Sequence, residues 1–153
     1  MNADKLTLLQ RELVDLDKAA AHLRFSLDRT RGLLDRRDWD PEELERLESL
    51  ASRFARLSDL LVQRVMRLVD DLELLAPGTL LDRLHRAEKR GWVDDAGTLV
   101  RIRELRNLIA HEYAADKMAD IYAAVAALAP ALLAVVPTVV GYARDLQAKY
   151  PGR

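Results

Sequence analysis

Apolar positions recur along this chain at three- and four-residue steps, the period of a helix with one buried face. Leu6, Leu9, Leu13 and Leu16, then Leu23, Leu27 and Leu34, predict a first helix over residues 4 to 35. The polar stretch "DRRDWDPEE" ends it. Asp40 is placed to cap the next helix, Pro41 suits a first helical position, and Glu42 and Glu43 suit its positive end. That second helix runs through Leu44, Leu47, Leu50, Phe54, Leu57, Leu61, Val65, Leu68 and Leu72 until Pro77 and Gly78 stop it. Two long helices joined by a short turn predict an antiparallel hairpin. A short third helix follows from about Thr79 to Arg90, with the basic turn "EKR" and Gly91 as its C-terminal stop. Asp94 or Asp95 is placed to cap a fourth helix, and Asp116 a fifth that ends near Lys149. No strand alternation, repeat or low-complexity linker interrupts the series. The prediction is all-α: an up-and-down bundle of about five helices, forming a single domain over residues 1–153.

Composition narrows the chemistry. A chain of 153 residues is long enough to bury a core without disulfides or metal. It has no cysteine, which excludes thiolate nucleophiles and Cys-ligated zinc and suits a reducing cytoplasm. With 32% charged residues and a net charge of -1, no global basic field draws it onto nucleic acid, so any such contact must be local. The N-terminus mixes acids and bases and is not expected to be a secretory signal. From Ile121 to Tyr142 no residue is charged, and the length meets the ~20 residues a membrane span needs. Pro130, Pro137, the many alanines and the lack of a second such run favour a buried helix or a subunit interface over a span.

One stretch is not generic: "RELRNLIAHEY", Arg103 to Tyr113. On a helix, Ile102, Leu105, Leu108 and Ile109 share the side expected to fill the core, while Glu104, Asn107 and His111 share the opposite stripe. Arg106 falls at the boundary, with Tyr113 farther along its row. Arg106 and His111 diverge by ~140° on a continuous helix. They reach one phosphate only if the helix ends between them, or if a second copy supplies the other half across a two-fold axis. Arginine grips phosphate with a fork of donors, and histidine exchanges protons near neutral pH. Together they suffice to cleave RNA through attack of its own 2′-hydroxyl, without a metal. From spacing alone, a solvated arginine, a capping asparagine, a surface histidine and a half-buried tyrosine explain the same residues.

"RNLIAHEY", Arg106 to Tyr113, resembles the signature of the HEPN superfamily of small helical proteins: an Arg, a polar residue, several variable positions, then His. The tyrosine two residues after the histidine resembles the HepT branch, toxins encoded beside a minimal nucleotidyltransferase antitoxin. The preceding "LLDRLHRAEKRGWVDDAGTLVRIRELRN" and a last helix with an internal proline fit that branch. Helix order agrees over roughly residues 5 to 150, and specific residues from about Gly91 to Tyr122. The resemblance implies a dimeric, metal-independent endoribonuclease with Arg106 and His111 catalytic. Asn107 would orient the site, and Tyr113 would be the residue that the antitoxin adenylylates. The very apolar last helix departs from the family picture.

Other candidates are weaker. Arg101 and Arg103, about one turn from Arg106, are expected to support phosphate binding. The arginines of "LDRTRGLLDRRD" and Arg53, Arg56, Arg64 and Arg67 have acidic neighbours that favour a salt-bridged surface. His22 and His85 read as solvated or pairing residues, Trp92 as a core plug in preference to a base-stacking platform, and no set of residues suggests a metal or other cofactor. Two further readings stand beside the nuclease: a non-catalytic nucleotide- or substrate-binding subunit of a nucleotidyltransferase complex, and a plain dimerisation bundle.

Overall fold

The computed structural model describes residues 3–112 and 114–150, and among them it is all-helical, without a strand. The elements are α1 (Ala3–Thr30), α2 (Pro41–Asp59), a π-helical stretch (Leu60–Val65), α3 (Met66–Leu72), α4 (Leu80–Lys89), α5 (Ala96–His111) and α6 (Ala115–Lys149). Because α2 passes without a break through the π stretch into α3, the described residues form five helical rods. The first rod packs along the second, α6 lies against α1, α2 and α5, and α4 covers α5. Leu9, Leu13, Leu16, Phe54, Leu61, Met66, Ile102, Val125, Leu132 and Val139 are fully enclosed between them.

The predicted helix ends are largely met by cap chemistry. Asp40 accepts the Glu43 N–H at 2.9 Å, and the Glu43 carboxylate accepts the Asp40 N–H at 3.1 Å, a reciprocal box that starts α2 at Pro41. Thr79 and Asp82 repeat the device for α4. Gly91 (φ 78°) ends α4, with the Trp92 N–H returned to the Ala87 carbonyl at 3.0 Å. Asp95 caps α5 through the Gly97 N–H at 2.8 Å.

Four expectations are corrected. The first α-helix stops at Thr30, not near residue 35, and tightens into a 3-10 turn over Arg31–Leu33. There the Thr30 hydroxyl bonds back to the Ser26 carbonyl, and the Trp39 indole N–H satisfies the Leu33 carbonyl at 2.8 Å. The second helix contains the π stretch, where the Met66 N–H reaches the Leu61 carbonyl five residues back. Asp116 is not a cap: the cap position is Ala114, two residues earlier, and Asp116 sits in the first turn of α6. Leu108 is 51% exposed rather than core. Ile102, Leu105 and Ile109 centre the inward face, and at about 100° per residue Leu108 falls roughly a quarter-turn off it.

Helix α6 runs unbroken through Pro130 and Pro137. Its most apolar window has a mean hydropathy of 2.3, and 33% of it is buried, so by length and composition it could also span a membrane. Ile121, Val125, Leu132, Val136 and Val139 face inward, whereas Ala123, Ala127, Pro130, Ala134 and Gly141 face outward. One face is therefore buried within the chain, not the whole circumference.

Candidate functional site

Helix α5 is held from its buried side. Leu99, Ile102 and Leu105 enter the core, and the Ala96 N–H is tied to the Glu88 carboxylate at 2.9 Å. That leaves Arg103 and Arg106, about one turn apart, at the seam with α2. Both reach Asp59, the last residue before the π stretch. Arg106 grips it with two bonds, Nε to Oδ1 and Nη2 to Oδ2, both 2.8 Å, and Arg103 Nη1 reaches Oδ1 at 3.1 Å. The hydrogen bond to Asp59 raises the Arg106 pKa, with burial opposing it, so the guanidinium is charged throughout the working pH range.

The geometry of that fork decides what Arg106 can do. A guanidinium has five N–H donors. Asp59 takes Nε–H and one hydrogen of Nη2, leaving the second Nη2 hydrogen and both on Nη1. Those three lie at the end away from Asp59 and suit a phosphate. The carboxylate thus orients the arginine and leaves its grip available. Asp59 gave no sign of this in sequence, being one acid among many in a charged helix.

His111 is the last residue of α5, is exposed, and has no hydrogen-bond or ion-pair partner among the described residues. The helix is continuous from Arg106 to His111, so of the two arrangements open in sequence, a helix end between them is excluded. Within one chain the two side chains leave the axis ~140° apart, separated by roughly 7.5 Å of rise. Asn107 is exposed beside them, and Arg101 is exposed with only a marginal 3.5 Å contact to Thr98. Arg103, expected to meet phosphate, is mostly covered and committed to Asp59. Tyr113 lies outside the described residues.

No known protein family, curated protein or solved structure matches the chain. The site must be read from its own residues.

Behind Arg106, a cleft of about 310 Å³ opens between α2, α5 and the start of α6, walled by Ala51, Ala55, Ile109, Ala110, Met118 and Tyr122 and edged by Glu48 and Ser52. No group of three or more His, Asp or Glu side chains among the described residues is arranged to hold a metal ion. The other arginine clusters are largely paired: Arg31 with Asp28 at 3.0 Å, Arg37 with Asp120 at 2.9 Å, Arg36 with Glu43, and Arg53 with the Ser26 hydroxyl at 2.7 Å. Trp92 is buried, which removes it as a base-stacking platform.

A second polar cluster lies among α3, α4 and α6. Asp70, 2% exposed, receives Arg86 Nη1 at 2.6 Å and Arg90 Nη1 at 2.7 Å. Arg90 also reaches Glu73 at 2.7 Å and lies over the Trp92 ring at 4.7 Å, and Tyr142 donates to Glu73. Burial opposes the Arg90 charge, but the Asp70 hydrogen bond and the two acids' charges prevail, and its pKa is raised. This network ties α3, α4 and α6 together.

Proposed function

We propose that the chain is a metal-independent endoribonuclease of toxin type, acting as a homodimer or a higher even oligomer. A minimal nucleotidyltransferase antitoxin neutralises it by adenylylating Tyr113. The observation that carries the reading is Arg106: a guanidinium fixed by Asp59 with three donors free, on the same helix as an unpartnered, exposed histidine. The resemblance of "RNLIAHEY" to the HEPN signature supports it.

A two-fold axis beside α5 sets Arg106 of one copy near His111 of the other. His111 takes the proton of a ribose 2′-hydroxyl, whose oxygen attacks the adjacent phosphorus. Arg106 stabilises the charge that gathers on the phosphoryl oxygens, and Asn107 adds a neutral contact. The bond to the 5′-oxygen breaks, and that oxygen takes a proton from the second histidine or from water. The products are a 2′,3′-cyclic phosphate and a 5′-hydroxyl. Adenylate on Tyr113, close along the chain to both groups, brings a negative charge that competes for Arg106.

Incubation of the purified protein with RNA in excess EDTA tests this. Cleavage should persist, with cyclic-phosphate ends. Loss of cleavage in EDTA, with recovery on adding a divalent ion, contradicts it.

A second reading, a non-catalytic subunit presenting nucleotide to a nucleotidyltransferase, is favoured by one observation. Arg103 and Arg106 share Asp59, so the clamp is partly neutralised before any ligand arrives. Nucleotide binding without RNA cleavage selects that reading.

A further inference from the structure

The cleft behind Arg106 has a tyrosine hydroxyl in its wall and a carboxylate at its rim. Tyr122 lines it, is only 2% exposed, and its hydroxyl has no hydrogen-bond partner among the described residues. The hydroxyl is the part of the side chain that meets the cleft, so it is free to bond whatever enters there. The ring is fixed from behind by Trp39, edge-on at 5.7 Å, and Trp39 is itself pinned to the Leu33 carbonyl. Burial, and then the charge of Glu48, raise the Tyr122 pKa, so the hydroxyl stays protonated and able to donate. Glu48, exposed at the rim, is an acceptor.

The remaining lining is flat and small: Ala51, Ala55 and Ala110, with Ile109 and Met118. At about 310 Å³ the cleft is at the small end of ligand sites, whose typical range is ~300–1,000 Å³. Thin apolar walls, a donor inside, an acceptor at the edge and a phosphate-gripping arginine alongside describe the needs of one nucleotide. Glutamate accepts from exocyclic amino groups of bases.

We infer that this cleft seats one base of the RNA, the base next to the phosphate held by Arg106, and prefers a base with an exocyclic amino group over uracil. Glu48 takes the amino hydrogen and the Tyr122 hydroxyl donates to the neighbouring ring nitrogen. The inference rests on the ribonuclease reading for its substrate, but the binding it requires is separable from cleavage.

The test uses the full chain and 2′-O-methyl oligonucleotides of adenine, cytosine or uracil, which lack the attacking hydroxyl and are not cut. Fluorescence anisotropy should show the adenine and cytosine oligomers binding at least about fivefold more tightly than the uracil one, the low end of a good polar base contact. Glu48→Ala should erase that ratio without weakening the uracil oligomer, because it also removes a negative charge near the phosphate. Ala110→Leu, which fills the cleft from an exposed helical position, should weaken the adenine and cytosine oligomers. Equal affinity for all three with the wild-type chain, or an unchanged ratio in Glu48→Ala, overturns the inference. RNA cut without base preference sinks this inference and leaves the ribonuclease standing. A preserved ratio in a chain that never cuts RNA does the reverse.

Discussion

Arg106→Ala and His111→Ala should each lower the RNA cleavage rate by about 10²–10⁴-fold, the span associated with losing a charge-stabilising donor or a general acid–base group. Neither should unfold the protein. His111 is exposed and unpartnered, so its loss should change stability by no more than about 0.5 kcal/mol. The Arg106–Asp59 pair is part-exposed, 28% and 37% at the two side chains, which limits its contribution to about 1 kcal/mol. Asp59→Ala keeps both reacting groups but releases the arginine from its fixed orientation. Its rate should therefore fall between wild type and Arg106→Ala. Single-turnover cleavage with matched thermal melts checks the set. A wild-type rate in His111→Ala removes the histidine from the chemistry.

Asp70→Ala should be the most destabilising single polar change in the described structure. It strips the shared carboxylate from Arg86 and Arg90, which are 21% and 10% exposed, and leaves their charges facing each other in a mostly covered site. Breaking one partner of a buried ion cluster costs about 3–5 kcal/mol, which for a chain of this size lowers Tm by on the order of 10 °C. The Tyr142–Glu73 and Arg90–Trp92 contacts depend on the same corner, so near-ultraviolet dichroism from Trp92 should change as well. A Tm within about 2 °C of wild type would show that solvent reaches the arginines and relieves them.

The helices were legible because their signals are local. Leucine spacing, the Asp40–Pro41–Glu43 start and the Gly91 stop act within a turn or two of where they stand; the leucines reappear as the core, and the two end signals as a capping box and a positive φ. What depends on two distant segments was not legible. Asp59 and Arg106 are 47 positions apart, and nothing in either neighbourhood says that they meet. Asp70 looked like half of an acidic pair, "DD", yet it is enclosed while Asp71 is not, because only one of them faces α4. The π stretch was hidden as well: "LLVQRV" fits an ordinary helix, and no residue type in it marks the wider turns. Leu108 illustrates the opposite error, an apolar residue assigned to the core by identity when its angle on the helix placed it outside. Of the candidate site, the residue types came from sequence and the orientation of the clamp came from the fold.

In the proposed mechanism Arg106 of one copy works with His111 of another. This pairing is tested most directly by mixing Arg106→Ala and His111→Ala chains, unfolding and refolding them together so that copies exchange, and measuring RNA cleavage. Each variant alone should be nearly inert, and the refolded mixture should regain activity well above either, because a mixed dimer carries one Arg106 opposite one His111. A mixture as inert as its components, in which mixed dimers are shown to have formed, would contradict the shared site.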